Sequence, residues 1–246
     1  MVLAVPLKEC LYERSKDWMR ALAPYKNPKI TSVIQVFSYI GDGDFYFYVA
    51  SFFYIFGKNE DFTYLSASFL SALQLCNFMK AFYHHSRPQY DDLSLADMNV
   101  GSCAGEFGNP SGHSLLSCQF IPTMILFCKQ SYPNFFKERR FVAIFMQFVA
   151  GIFLVLICFG RFYLGRHSVD QILFGIVLGL SFSHFSHFFI KPRIYDPFFR
   201  KEHSLHSQIT EETRWRAVKI ASILCITVWA ISVTLYLYVD NYVNIP

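Results

Sequence analysis

The apolar residues of this chain come in long blocks rather than at scattered positions. Mostly apolar runs occupy 45–57 (lengthened backwards by 30–40, with Asp42 and Asp44 interrupting), 63–79, 113–128, 141–160, 171–190 and 218–239. Crossing hydrocarbon takes about 20 residues of helix, because only a helix satisfies its own backbone there. The shorter blocks reach that length by including polar or aromatic flanks. Of the 246 residues, 53% are apolar and 16% charged, whereas a soluble domain carries about a quarter charged residues. The pattern predicts an all-α fold, a polytopic membrane helical bundle of about six transmembrane helices.

Residues 1–40 precede this bundle, which is expected to fill 41–246. Lys8 and Glu9 interrupt the first apolar residues, so a cleavable signal peptide is not expected. Leu11, Trp18, Met19 and Leu22 alternate with Glu13, Arg14, Lys16 and Asp17. That alternation predicts an amphipathic helix lying on the membrane, with a loosely ordered tail as the alternative. The net charge of +4 is spread over loops and termini, so no concentrated basic face points to nucleic acid. The seven cysteines include no C-x2-C pair and read as small buried hydrophobes rather than zinc ligands.

Three polar clusters stand at the ends of apolar blocks: Lys80-x6-Arg87-Pro88, Pro110-Ser111-Gly112-His113 and Arg161-x5-His167. Threading the spans alternately across a bilayer brings all three out on one face. The opposite face carries Lys129, Lys137, Arg139, Arg140, Lys191 and Arg193 among others, which makes it cytoplasmic and leaves the clusters facing the lumen or exterior. The basic residues of the N-terminal tail argue for the reverse orientation.

Each cluster suits a phosphate. A guanidinium grips two phosphate oxygens at once, and lysine supplies a compact charge. Pro88 disfavours helical geometry at Arg87, so the arginine should sit where the chain turns. Ser111 is a candidate N-cap, and the free amides of the following turn form an anion site beside His113. Gly112 lets the backbone approach a ligand closely. Arg161 adds a third cation. His167 adds a second imidazole, a competent nucleophile when a neighbour holds its tautomer. Asp170 and Gln171 are both candidates for that neighbour. Outside these clusters, His84 and His85 lie in the first spacer, within reach of a substrate head group. His184 and His187 read as interfacial packing, and the 89–109 loop as a cover over the site.

Taken in order, these motifs resemble the type-2 phosphatidate phosphatase superfamily over roughly 42–179. That group includes lipid phosphate phosphatases, sphingosine-1-phosphate phosphatases, dolichyl-diphosphatases and glucose-6-phosphatase. The resemblance implies that Lys80, Arg87 and Arg161 bind phosphate with Ser111 and the Gly112 amide. It implies that His167 attacks phosphorus, that His113 protonates the leaving oxygen, and that neither a metal nor a cofactor is required. The implied substrate is a phosphorylated lipid or other phosphate ester, and the implied location an endoplasmic-reticulum or other secretory-pathway membrane. Two positions depart from the family pattern. Gly160 stands where the third motif begins with serine, and Gln171 stands where an acid follows the histidine, as in glucose-6-phosphatase-like members. The two imidazoles, both starting near pKa ~6.5, imply a bell-shaped pH profile at neutral or mildly acidic pH. Alternatives on the same scaffold are a phosphoryl or head-group transferase, a sugar-phosphate phosphatase, or an inactive phosphate-binding or transport homologue. Oligomeric state is not legible.

Overall fold

The structure is a computed structural model that describes residues 4–56, 59–92, 94–95 and 107–196, together with isolated helical positions 219, 227, 230, 231 and 234. Every element in these residues is helical: α1 Ala4–Leu22, α2 Pro28–Ile40, α3 Gly43–Phe56, α4 Asn59–Tyr83, α5 Pro88–Asp91, α6 Gly112–Ser131, α7 Pro133–Glu138, α8 Arg140–Tyr163 and α9 Val169–Phe185, which runs on as a π-helix over Ser186–Tyr195. The sequence expectation of an all-α chain agrees with this architecture.

The expected first span is instead two helices. α2 ends at Gly41, and Asp42 accepts from the Gly43 amide (2.7 Å) as α3 begins. α2 then packs along α8 while α3 packs on α4. Two described helices are by themselves long and apolar enough to cross a membrane: α8 and the continuous 169–195 helix. α4 and α6 are less apolar because their polar residues face inward. Gln119 Nε2 donates to Ser68 Oγ (2.8 Å), Thr123 Oγ1 to Ser183 Oγ (3.0 Å) and Tyr46 OH to Ser117 Oγ (2.7 Å). Such interhelical bonds join helices where burial of apolar surface gives no driving force. The expected sixth span, 218–239, lies outside the described residues apart from its isolated helical positions.

α6 is the centre of the bundle and pairs most extensively with α9. Gly179 makes the close approach possible, since a β-carbon there would collide with the Leu115 carbonyl and lie 2.9 Å from Cys118 Cβ. Tyr46, Phe69, Leu115, Phe120 and Phe127 form the main core between α3, α4 and α6. On the outside, Phe141, Ile144, Phe145, Phe148 and Val155 of α8 are exposed, an apolar surface suited to hydrocarbon rather than water.

α1 is helical, but it docks on protein as well as presenting an outer face. Tyr12, Ser15 and Met19 are buried while Trp18 remains exposed, and Ser15 Oγ accepts from the Val169 amide (3.1 Å) at the start of α9. α2 likewise packs Ile34 against Tyr163 and Leu164. Both helices of the 1–40 segment therefore lie against the helices that follow.

Candidate active site

Four helix ends meet at one end of the bundle. α4 brings Lys80 in its last turn and stops where His84 adopts a left-handed conformation (φ 45°). The chain then passes through Arg87, which is extended (φ −87°, ψ 148°) immediately before Pro88 and buried. That is the backbone expected of a residue preceding proline.

α6 begins at Gly112, next to Lys80: a β-carbon on Gly112 would lie 3.7 Å from Lys80 Nζ. Ser111 occupies the N-cap position with extended backbone, but its side chain makes no capping bond. Its hydroxyl instead accepts from Ser114 Oγ (3.1 Å), and its amide donates to the Gln171 carbonyl (3.0 Å). The second motif is thereby pinned to the third, and the first-turn amides of α6 are not capped by the Ser111 side chain. Gly175 sits directly beneath, where a β-carbon would come within 2.8 Å of the Ser111 carbonyl.

α8 ends in a Schellman motif. Gly165 takes the left-handed conformation (φ 72°), its amide donates to the Phe162 carbonyl and the Arg166 amide to the Arg161 carbonyl, both at 2.9 Å. This reversal folds His167 back onto Arg161, to whose carbonyl the His167 amide also donates (3.3 Å). The five intervening residues are therefore the length of one helix terminator. Arg161 is buried, and its Nη1 donates to Ser38 Oγ on α2 (2.6 Å). Ser38 was invisible to motif reading because it lies on a helix read only as a backward extension of the first span. Gly41 escaped notice for the same reason. A β-carbon on it would lie 2.6 Å from Ile157 Cγ2 and 3.4 Å from the His113 ring.

His167 is almost wholly buried. Its Nδ1 lies 2.9 Å from the Gly108 carbonyl oxygen and 3.2 Å from Gln171 Oε1. A carbonyl oxygen only accepts, so Nδ1 carries the proton and Nε2 keeps its lone pair. The Gln171 amide is oriented by the same logic, since its Nε2 faces the Ser86 carbonyl (2.8 Å). Burial holds the imidazole well below its ordinary pKa, and the charges of Arg87, Arg161, Lys80 and His113 push it further down. Those four groups thus lie within electrostatic reach of His167.

Asp170 makes no bond to His167. Both of its carboxylate oxygens are buried without a hydrogen-bond partner among the described residues. Gln171, one residue later, carries the contact. Gly160 also has a local reason: a β-carbon there would lie 3.0 Å from Ile34 Cγ2, so α2 fills the space a serine would need.

Comparisons with known proteins give the family and the fold. The family model described as PAP2 superfamily matches residues 61–195, more than half of the chain and all three clusters. The chain belongs to the PAP2 superfamily. A Bacillus subtilis (strain 168) relative, phosphatidylglycerophosphatase B, is 36% identical over 74 residues, which are 30% of this chain and 34% of the relative. The chain therefore spans about a third of the length of that curated relative. The crystal structure of a transmembrane PAP2-type phosphatidylglycerolphosphate phosphatase from Bacillus subtilis has the same fold, with a TM-score of 0.62 at 20% identity, covering 78% of this chain and 94% of that one. Within this PAP2 fold, His84 packs edge-on against Phe107 (5.1 Å between ring centres), and His85 meets Gln171. His184 faces its own helix, with Nδ1 2.9 Å from the Leu180 carbonyl, and His187 packs on Phe188. Asp97 and Glu106, and most of the 89–109 loop, lie outside the described residues.

Proposed function

We propose that this PAP2 chain is an integral membrane phosphatase that hydrolyses a phosphorylated lipid through a phosphohistidine intermediate. The observation that carries this reading is the His167 tautomer: a neutral ring whose Nδ1 proton is taken by Gly108 and Gln171, leaving Nε2 as a nucleophile beside buried cations.

In the first step Nε2 of His167 attacks phosphorus. A P–N bond forms, the ester P–O bond breaks, and His113 gives its proton to the departing oxygen. Water then attacks phosphorus and gives a proton back to His113. The P–N bond breaks, and phosphate leaves with His167 restored. Lys80, Arg87, Arg161 and the first amides of α6 balance the charge on the non-bridging oxygens throughout, the task magnesium performs in other phosphoryl transfers. Fixed cations stabilise the transition state without reorganising, so the reaction should proceed in a chelator.

A lipid substrate is supported by the apolar outer surface and by the printed activity of the bacterial relative. With its acyl chains in hydrocarbon, the substrate would present only its head group to the end of the bundle. The basic residues at the other end, Lys129, Lys137, Arg139 and Arg140, favour that end as cytoplasmic and the site as lumenal or exterior. The secretory-pathway membrane is carried by the family resemblance alone; accessibility of single cysteines placed at positions 132–139 in sealed vesicles tests the orientation.

The deciding experiment is phosphate release by purified protein in detergent with EDTA. Phosphatidylglycerophosphate, phosphatidate and glucose 6-phosphate are the substrates, and His167→Ala is the control. Release from a lipid ester that is lost in the variant supports the reading. Preference for the sugar ester removes the lipid assignment, and full activity of the variant removes the mechanism.

A further inference from the structure

We propose that His85 is a positioning residue for the His167 nucleophile, acting through the side-chain amide of Gln171. The proposal rests on the phosphohistidine reading above. It starts from the donor count at one nitrogen. Gln171 Nε2 has two N–H groups; one is directed to the Ser86 carbonyl (2.8 Å), and His85 Nδ1 lies 3.1 Å away as the partner for the other. A nitrogen that donates must meet an acceptor, so His85 Nδ1 is unprotonated and its proton sits on Nε2. With both donors engaged, Gln171 Oε1 faces His167 Nδ1 (3.2 Å) and accepts from the Ser168 amide (3.4 Å). The amide cannot turn over without opposing two donors to each other.

The backbone of His85 acts on the same ring. Its carbonyl accepts from the Gly108 amide (2.7 Å), and Gly108 supplies the other acceptor for His167 Nδ1 (2.9 Å). His85 therefore touches both groups that hold the nucleophile, without touching the nucleophile itself. Its own position is set by α1. The Tyr12 ring meets the His85 ring edge-on at 4.5 Å between centres, and Tyr12 OH donates to Asp91 Oδ2 (2.6 Å). A carboxylate at position 171 could donate to neither Ser86 nor His85, so the glutamine that departs from the family pattern is what brings His85 into the site.

The groups facing His85 are the Tyr12 ring and Lys8 from α1, Asp91 from α5 and Asp170 from α9. Burial first and then Lys8 lower its pKa, while Asp170, a hydrogen bond with the Ser86 backbone and Asp91 oppose them. Protonation of His85 would put N–H against N–H at Gln171 and push away the amide that holds Oε1 against His167.

The test uses full-length protein in detergent micelles, following kcat and KM for dioctanoyl phosphatidate from pH 4.5 to 9. His85→Phe keeps a ring against Tyr12 but removes the acceptor. It should lose roughly tenfold in kcat with KM little changed, the size of one hydrogen bond. His85→Asn restores an acceptor that does not titrate, so kcat should recover to within about threefold and the acid limb should flatten. His85→Phe combined with Gln171→Leu should lose no more than Gln171→Leu alone, as expected of residues acting through one bond. Wild-type kcat and pH dependence in His85→Phe would overturn the proposal. So would multiplicative losses in the double variant, or an Asn variant as impaired as Phe, which would mark a purely structural histidine. Full activity in His167→Ala would instead remove the underlying reading, and this inference with it.

Discussion

His167 and Gly108 meet across 59 positions of sequence, the ring Nδ1 2.9 Å from the carbonyl oxygen. The contact sets the tautomer that the proposed nucleophilic attack requires. It also explains the glycine: a β-carbon at 108 would lie 2.7 Å and 2.8 Å from the amide nitrogen and oxygen of Gln171 and 2.8 Å from the Ser86 carbonyl. Three separate parts of the chain close around a single hydrogen bond, with no room for a methyl group.

Gly108→Ala should therefore displace Gln171 and cost about tenfold or more in kcat, with a smaller effect on KM. Steady-state kinetics on the lipid ester measures it. An unchanged kcat would show that the amide contact does not position the nucleophile.

The two imidazoles should separate in single-turnover experiments. His167→Ala should form no acid-labile phosphoenzyme. His113→Ala should lower kcat by about 10²–10⁴-fold, the range for loss of a general acid. The defect of His113→Ala should shrink with a good leaving group, such as nitrophenolate, that departs without a proton. An equal defect on both leaving groups would exclude the acid role.

The α6–α9 pairing should be intolerant of one methyl group. Gly179→Ala drives a β-carbon into the Leu115 carbonyl and towards Cys118, and should destabilise by about 1–3 kcal/mol. Gly151 on α8 has nothing within 4 Å of its β-position. Gly151→Ala should be neutral, or stabilising by up to ~1 kcal/mol through helix propensity. Thermal unfolding in detergent compares them directly.

Stability should fall on acidification. His167 and His85 both have pKa values lowered by burial, so below the unfolded value of ~6.5 the unfolded chain binds more protons than the folded one. Their contribution is complete above that pH and is lost as pH falls towards the lowered native values. His167 supplies a slope of up to about 1.4 kcal/mol per pH unit, and half-buried His85 a smaller one because solvent screens it. The melting temperature should drop between pH 7 and pH 5, and less steeply in His85→Asn. A flat profile would show that the rings are not buried neutral.

Much of the site was legible in sequence because its parts are local. Pro88 constrains Arg87, and the Pro110-Ser111-Gly112 turn formers mark the start of α6. Ser38, Gly41 and Gly108 carried no such signal. Each matters only because a distant segment packs against it, and no spacing rule relates position 38 to 161 or 108 to 167. The first span was misread for a similar reason: two apolar runs look continuous, but Gly41 and Asp42 end one helix and start another on a different neighbour.

By itself, the sequence determined that the chain is helical, that its apolar blocks alternate with polar ends, and which cations and imidazoles gather at one end. These follow from backbone satisfaction and residue chemistry, which act over a few turns of helix. Only the tertiary structure decided between Asp170 and Gln171, and it brought His85 and Ser38 into the site. Those outcomes depend on which donors face which acceptors, a matter of ångströms set by how α1, α2, α6 and α9 pack together.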